Sequence, residues 1–282
     1  MVGLVLTPVG GTGTEVRRVS DATASGPFRG EALARDDGGG EGARMLVPIG
    51  DENAGRRLTP FVNYALIAVN VAVFLLQLLV GGLSAAFFVA WGVQPVEVVA
   101  FQEWQTVFTS MFLHGGLWHL IGNMLFLHVF GDNIEDAMGH ARYLIFYLLC
   151  GAAAAFAQIA TDPFSAVPIV GASGAVSGVL GAYIVLFPQG RIRSLLFLGI
   201  FGTVVMVPAW VQLGLWFAIQ LVLGVLALGA KTGGGVAFFA HVGGFVAGLL
   251  LVWLFADRGE VAHQREIRAD SRAAWAARKG VS

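Results

Sequence analysis

The chain has 282 residues, of which 56% are hydrophobic and only 12% are charged, and its formal net charge at pH 7 is −1. Soluble domains carry about 25% charged residues, so this composition indicates an integral membrane protein. The chain also lacks the basic, aromatic-interleaved patch of nucleic-acid-binding proteins, and we expect no nucleic-acid partner. Its single cysteine, Cys150, excludes an intramolecular disulfide and is expected to be a buried packing residue.

The first part of the chain, residues 1–58, is rich in Gly, Ala, Arg and Asp and has few aromatic residues. Such a segment buries too little apolar surface to offset the entropy cost of ordering, so we predict a disordered cytoplasmic N-terminal segment. No apolar run typical of a secretory signal follows the first charges. Met45 looks like a more natural start, which leaves residues 1–44 either an extended reading frame or a dispensable tail.

Six hydrophobic segments follow, each long enough to cross a hydrocarbon core of about 30 Å. Their predicted limits are 61–81, 117–137, 142–160, 171–188, 207–229 and 236–256. The sequence therefore predicts an all-α membrane protein, in which residues 59–256 form a six-transmembrane-helix bundle.

Two connections between these segments are unusual. The long first loop, residues 82–116, is half apolar and contains several Trp and Phe residues, so we expect it to lie in the membrane interface. Residues 194–206 are apolar and contain Gly but are too short to span a membrane. We expect them to pack along the bundle before Pro208 starts the next helix.

The distribution of Lys and Arg predicts the orientation. Basic residues precede the first span, follow the second and fourth spans, and are frequent in residues 257–282. The long first loop and the loop before Ser173 contain none. We therefore expect both termini, including a charged cytoplasmic tail over 257–282, on the inner side of a bacterial cytoplasmic membrane.

Polar side chains inside a membrane are costly without partners or water, so the few in these spans are functional candidates. Ser173 lies between Gly171 and Gly174 and follows Pro168 by five residues, which places it in the first turns of its helix. Free backbone N–H groups there can stabilise an oxyanion. The same small residues also form a pattern on which membrane helices pack, so this stretch alone leaves open whether Ser173 is a nucleophile or a packing residue.

A serine nucleophile requires a base, and His241 is the best-placed candidate. The small residues after it, Gly244 and Gly248, would let the sixth helix pack on the fourth, with His241 at the depth of Ser173. Because no Asp or Glu occurs from position 163 to position 256, no carboxylate from these helices can complete a triad. We predict a Ser–His dyad whose imidazole is positioned by packing.

Two further polar residues share one face of the second helix, since His119 and Asn123 are spaced i, i+4. Both can donate hydrogen bonds to a developing oxyanion, although the pair could equally link two helices. Three intramembrane glutamines are expected to be packing contacts between helices: Gln158, Gln212 and Gln220.

The combination of "EWQTVFTSMFLHGGLWHLIGN", "GDNIEDAMGH", "GASGAVSG" and "AHVGGFVAG", in this order, resembles the rhomboid family of intramembrane serine proteases. The resemblance covers the chain from about Leu58 to Ala256. It implies that Ser173 is the nucleophile, that His241 is the general base and acid, and that the Ser173 N–H, His119 and Asn123 form the oxyanion hole. It also implies cleavage of transmembrane segments of other proteins near the outer face, without metal or cofactor.

The resemblance also implies supporting positions. His114 would support the first loop, Glu135 would tie the inner loops together, and Gly139 would give close packing. Two residues depart from the family pattern. Gln105 stands where many members have Arg, which concerns the anchoring of the first loop. Ser177 stands where some members have an aromatic ring against the base, so the imidazole needs other support, such as a hydroxyl contact or the ring of Phe238 or Phe245.

Two other classes remain as alternatives. A non-catalytic rhomboid-like protein would bind and escort membrane helices with the same fold, and labelling by a serine-reactive probe would separate it from a protease. A small-solute transporter is a weaker alternative because the sequence shows no convincing internal repeat.

Overall fold

The structure is a computed structural model that describes residues 44–80, 83–198, 201–229 and 236–279. Its helices are α1 Phe61–Leu79, α2 Ala85–Trp91, α3 Pro95–Val99, α4 Thr106–Thr109, α5 Leu117–Met138, α6 His140–Ile159, α7 Ser173–Leu186, α8 Ala209–Gly229, α9 Phe238–Phe255 and α10 Arg258–Lys279, with a 3₁₀ turn at Ser110–Phe112. Its strands are β1 Arg44–Gly50, β2 Arg191–Leu198 and β3 Phe201–Pro208.

Helices α1, α5, α6, α7, α8 and α9 correspond to the six predicted segments. Four helices, α1, α6, α8 and α9, are long and apolar enough to cross a membrane, and α7 is a shorter apolar helix of 14 residues. The last turns of α5 carry the carboxylates of Asp132, Glu135 and Asp136. The protein is thus a mostly helical, multi-pass membrane protein.

The prediction of an all-α fold is wrong in one part, because the structure contains a three-stranded antiparallel sheet in the order β1-β2-β3. Residues 194–206 were expected to pack along the bundle. Of these, residues 194–198 and 201–206 belong to the paired strands β2 and β3, in which Ser194 lies opposite Val205, and residues 199–200 lie outside the described residues. A short apolar run rich in β-branched residues fits a strand as well as a buried helical segment. Pro208 ends β3, and α8 begins one residue later.

The segments on either side of the bundle are tied to it. Residues 44–58 include β1, and the backbone N–H groups of Arg57 and Leu58 donate to Asp136, so this part of the predicted disordered segment is structured. In the predicted charged tail, α10 buries Gln264 and Arg268 against the bundle. Residues 1–43 and 280–282 lie outside the described residues, and the domain boundaries themselves stay predictions.

Helix α7 is the centre of the bundle and buries 12 of its 14 residues. Its small residues allow the surrounding helices α5, α6 and α9 to approach closely, and the largest buried side chains beside it are aromatic. Because α7 is enclosed on all sides, its first residue, Ser173, is held in a fixed place at one end of the bundle.

The first loop folds into α2, α3, α4 and the 3₁₀ turn. Backbone hydrogen bonds in both directions between Val93 and Ile169, at 3.0 and 2.8 Å, attach it to the segment that leads into α7. Several of its aromatic side chains are exposed, with Phe101 at 83%. The loop therefore lies beside the start of α7 and presents an apolar outer surface.

Candidate active site

Ser173 is the first residue of α7 and is almost fully buried. The chain enters this helix through Gly171, whose φ of +125° disfavours other residues and whose N–H donates to the Ser110 carbonyl at 2.9 Å. The first intrahelical hydrogen bond joins the Val176 N–H to the Ala172 carbonyl at 3.0 Å. The N–H of Ser173 lies before that bond, at the end of the helix where amide groups lack intrahelical acceptors.

Helices α7 and α9 pack in parallel with their backbones in contact. A Cβ atom built on Gly244 would lie 2.0 Å from the Gly174 carbonyl oxygen, and one on Gly248 would lie 2.0 Å from that of Gly178. These two pairs advance by four residues on both helices, which fixes their register. Ser173 and His241, each just before this contact, therefore lie at the same end of the bundle.

The imidazole of His241 is fully buried and held by α8. Its Nδ1 lies 2.7 Å from Oε1 of Gln220, and the ring of Trp216 lies beside it with 5.9 Å between centroids. Its Nε2 has no hydrogen-bond partner among the described residues, so the hydrogen bond to Ser173 is not formed in this structure. Hydrogen bonds between a nucleophile and its base are often long in unliganded enzymes and shorten when substrate binds.

Two of the glutamines expected to be packing contacts between helices make contacts between helices next to this site. Gln158 of α6 accepts a hydrogen bond from the Ala240 N–H at 3.1 Å, at the start of α9. Gln220 contacts His241 directly. The third, Gln212, bonds the Ser194 hydroxyl at 2.7 Å and joins α8 to the sheet, as a packing contact would. No local pattern distinguished Gln220, since its partner lies 21 residues away across two helices.

His119 of α5 lies against the start of α7. A Cβ atom built on Gly171 would lie 2.8 Å from His119 Nε2 and 3.7 Å from Ser173 Oγ, so both atoms border the same small space. The Gly115 N–H points to His119 Nδ1 at 3.4 Å. Because Nδ1 accepts that weak hydrogen bond, the ring proton is on Nε2, which has no partner among the described residues. His119 can therefore donate into the space beside Ser173.

Asn123 lies one turn further along α5 and is fully buried. Its Nδ2 donates to the His119 carbonyl at 3.0 Å, while its Oδ1 has no partner in the described part of the chain. An amide nitrogen has two hydrogens, so one remains for a second acceptor. His119 and Asn123 are one turn apart on α5, and of the two it is the His119 ring that contacts the start of α7.

His114 ends the first loop and is fully buried. Gln77 of α1 binds its backbone on both sides, accepting from the His114 N–H at 3.1 Å and donating to the His114 carbonyl at 3.2 Å. The His114 ring contacts the His119 ring edge-on, with centroids 5.1 Å apart. His114 therefore connects the first loop to α1 and supports the ring of His119.

The two departures from the family pattern have visible consequences. The Ser177 hydroxyl donates to the Ser173 carbonyl at 2.6 Å, so its proton is not available to His241. The sequence suggested the ring of Phe238 or Phe245 as support for the imidazole of His241. In the structure the ring beside this imidazole is that of Trp216, which also contacts Phe245.

Gln105 donates to the carboxylate of Glu103 within the first loop. The preceding residue, Trp104, packs on Phe156 of α6 with 5.8 Å between ring centroids. This ring contact, rather than the side chain at 105, attaches that part of the first loop to the bundle.

Glu135 and Gly139 lie at the far end of α5 from Ser173. The Glu135 carboxylate accepts hydrogen bonds from the N–H groups of Val62 and Asn63 at 2.9 and 2.7 Å, at the start of α1. Gly139 has a φ of +78° between α5 and α6, and a Cβ atom there would meet nothing closer than 3.9 Å. The expectation that Gly139 gives close packing is therefore wrong: the backbone turn, not the space, favours glycine there.

The described residues contain no group of three or more His, Cys, Asp or Glu side chains that could hold a metal ion. The groups beside Ser173 include its hydroxyl, the imidazoles of His119 and His241, the amide of Asn123 and helix-terminal N–H groups. This is the set of groups used in acyl transfer by a serine nucleophile.

Comparison with known proteins identifies the family. The model of the Rhomboid domain matches residues 101–258, more than half of the chain. The chain is 32% identical over 182 residues to rhomboid protease GluP of Bacillus subtilis, a match that covers 64% of this chain and 34% of GluP. It is 31% identical over 218 residues to the mitochondrial rhomboid protein 1 of Saccharomyces cerevisiae, covering 74% and 57% respectively.

A third relative, rhomboid protease GlpG of Klebsiella pneumoniae, is 28% identical over 190 residues, which cover 66% of this chain and 63% of GlpG. The chain thus spans between about a third and less than two thirds of the length of these three relatives. The family match, the helical membrane fold and the order of the motifs agree, and the chain belongs to the rhomboid family.

Proposed function

We propose that the protein is an intramembrane serine endopeptidase that cleaves transmembrane segments of membrane proteins with a Ser173–His241 dyad. The observation that carries this proposal is the parallel glycine contact of α7 and α9, which brings both residues to one end of the bundle. Membership in the rhomboid family supports it, since relatives with about 30% identity are named rhomboid proteases.

The proposed reaction follows from the donors and acceptors around Ser173. His241 Nε2 takes the Ser173 hydroxyl proton while Oγ attacks the substrate carbonyl carbon. The N–H of Ser173, Nε2–H of His119 and Nδ2–H of Asn123 stabilise the oxyanion of the tetrahedral intermediate. The C–N bond then breaks, the amine leaves with the proton from His241, and an acyl-enzyme remains. Water, activated by the same imidazole, hydrolyses the ester and restores Ser173.

In the proposed topology the six helices α1, α5, α6, α7, α8 and α9 cross the membrane, and both termini lie in the cytoplasm of a bacterial cell. The 14 residues of α7 span only about 21 Å, less than a hydrocarbon core of about 30 Å. With its far end at the cytoplasmic interface, α7 begins below the outer headgroups, so Ser173 is recessed but within reach of outside water. The exposed aromatic side chains of the first loop then lie in the outer interface.

The proposed depth of Ser173 in the membrane limits which substrates the protein can cleave. A peptide bond inside an intact helix is shielded by its own hydrogen bonds, and unpaired amides are costly in lipid. A transmembrane segment whose helix is weakened near the outer face can unwind into the polar space beside Gly171. We therefore propose membrane-protein helices with small or helix-breaking residues near their outer ends as the substrate class.

The test is cleavage of a transmembrane substrate by the purified protein in liposomes. Ser173→Ala and His241→Ala should each lower the rate at least about 10³-fold, since removal of either member of such a pair stops the covalent step. Ser177→Ala is the matched control, as it deletes a hydroxyl one turn further along α7 and should retain cleavage. Labelling by a fluorophosphonate should depend on Ser173.

Retained cleavage in either the Ser173 or the His241 variant would reject the dyad. A wild-type protein that neither cleaves nor labels would instead favour the non-catalytic alternative, in which the same fold binds and escorts membrane helices.

A further inference from the structure

We propose that Gln220 is the positioning residue of the base, so that the working unit is Ser173–His241–Gln220 with a neutral amide in the place where many serine hydrolases have a carboxylate. This inference deepens the proposed function and rests on it. The sequence prediction had left the imidazole to be positioned by packing.

The contact between Gln220 and His241 has the geometry of a strong hydrogen bond. Oε1 of Gln220 lies 2.7 Å from Nδ1 of His241, and both side chains are buried, at 6% and 0% exposure. When Oε1 accepts from Nδ1–H, the lone pair of the neutral ring is on Nε2. Nε2 is the nitrogen without a partner among the described residues, as required of a base that receives the serine proton.

The surroundings of Gln220 hold the ring in one orientation. Trp216 precedes Gln220 by four residues, so both side chains lie on the same face of α8. Trp216 lies beside the imidazole, while Gln220 bonds to its Nδ1. Helix α8 therefore supplies both the hydrogen-bond acceptor and the ring contact that limit rotation of His241. In many serine hydrolases a carboxylate is the acceptor, and in some rhomboid proteins an aromatic residue on the helix of the nucleophile supplies the ring contact.

A neutral acceptor suits this environment. A carboxylate at position 220 would be a buried charge whenever the imidazole is neutral, and burying a charge is costly. The amide oxygen avoids that cost. When His241 becomes a cation during catalysis, its Nδ1–H is a stronger donor and the bond to Oε1 strengthens. Gln220 thus stabilises the charged form of the base without accepting its proton.

The experiment compares variants of the full chain in liposomes with a transmembrane substrate, measuring kcat and KM. Gln220→Leu should lower kcat roughly 10- to 100-fold with KM within about twofold, because the base is misaligned while substrate binding is intact. Gln220→Glu keeps an acceptor oxygen. The cost of a buried carboxylate is expected to lower the stability of this variant, whereas kcat of the folded protein should be restored to within about fivefold of wild type. Gln212→Leu removes the other glutamine of α8 with a side-chain hydrogen bond, to Ser194, and should match wild type.

The inference is overturned if Gln220→Leu keeps the wild-type kcat, if Gln220→Glu is no better than Gln220→Leu, or if Gln212→Leu lowers kcat equally. Gln220→Met, of similar length, provides the same comparison should the Leu variant fail to fold. Fluorophosphonate labelling separates this failure from that of the proposed function. Wild-type labelling and cleavage that depend on Ser173, with Gln220→Leu unimpaired, reject only the role of Gln220, whereas a wild type without either rejects both.

Discussion

The two ends of the bundle differ in how their buried polar groups are bonded. Both ends have buried polar atoms without partners among the described residues, which at the end away from Ser173 are Arg268 Nε, Gln264 Oε1 and Glu260 Oε1, but only that end has a hydrogen-bonded group that joins several elements. At the Ser173 end, His119 Nε2, His241 Nε2 and Asn123 Oδ1 have no partners among the described residues. At the other end, Asp51, Asn133, Tyr183 and Arg268 form a bonded group, here called the Asp51 network. Tyr183 and Asn133 donate to Asp51 Oδ2 at 2.6 and 2.7 Å, and Arg268 donates to Asn133.

This difference indicates that the Ser173 end serves function and that the Asp51 end serves stability. A buried polar atom without a partner costs about 1–3 kcal/mol, so leaving several together at one end opposes folding and has to be retained for another reason. The hydrogen bonds of the Asp51 network join the residue after β1 to α5, α7 and α10, so stabilisation of the fold is sufficient to explain them. Substitutions at the Ser173 end should therefore act on rate, and substitutions in the Asp51 network should act on stability.

Outside the proposed dyad, the largest expected effect on the rate comes from Asn123→Ala. It removes a proposed oxyanion donor and should lower kcat about 10²- to 10³-fold, which corresponds to about 2.7–4 kcal/mol. The free energy of unfolding should change by less than about 1 kcal/mol, because the lost hydrogen bond to the His119 carbonyl is offset by removal of the unpartnered Oδ1. Parallel kinetic and thermal unfolding measurements check both values, and a large loss of stability would contradict the comparison.

Arg268→Ala should have the reverse profile. Arg268 is 2% exposed, donates to Asn133 and lies 4.1 Å from the Phe187 ring centroid, so its removal leaves a buried acceptor and a cavity. We expect a loss of about 3 kcal/mol in stability in detergent, with kcat of the folded protein within about twofold of wild type.

Arg142→Ala is the matched control for Arg268→Ala. Its partner Asp257 lies 3.8 Å away, and both side chains are about half exposed. Exposed ion pairs contribute little, so the thermal midpoint should not change measurably. Equal losses in the two variants would show that burial is not what makes the Asp51 end stabilising.

The sequence predicted the Ser173 end better than the Asp51 end for a physical reason. Its signals are local patterns: the helix spans, the glycine spacing at Gly244 and Gly248, and the i, i+4 pair of α5. Helix geometry places residues with such spacings on one face of their helix. The bonds from Tyr183 and Arg268 join residues far apart in the chain, and no local pattern marks them. Gln220 was missed for the same cause, and the strands were missed because a short apolar run does not distinguish strand from helix.

The titration of Asp51 gives a further test, of whether Asp51 in the Asp51 network is a neutral acid or a carboxylate. Burial, with the nearby carboxylate of Asp132, raises the pKa of Asp51 from its ordinary 3.8 to about 7, although Tyr183 and Arg268 oppose the shift. Between these two values the folded protein keeps a proton that the unfolded chain has lost. The contribution of Asp51 to stability therefore falls as the pH rises from about 4 to about 7 and is level above that.

Asp51→Asn removes this titration and keeps an oxygen that can accept from Tyr183 and Asn133. Relative to wild type, the variant should gain stability with rising pH, by on the order of 4 kcal/mol between about pH 4 and about pH 8, since a shift of one pKa unit corresponds to about 1.36 kcal/mol. Using the difference between the two proteins cancels the titration of all other groups. Thermal unfolding across this range is the measurement. A difference that stays constant with pH would mean that Asp51 is ionised throughout, and that its bonds to Tyr183 and Asn133 stabilise a charge rather than a neutral acid.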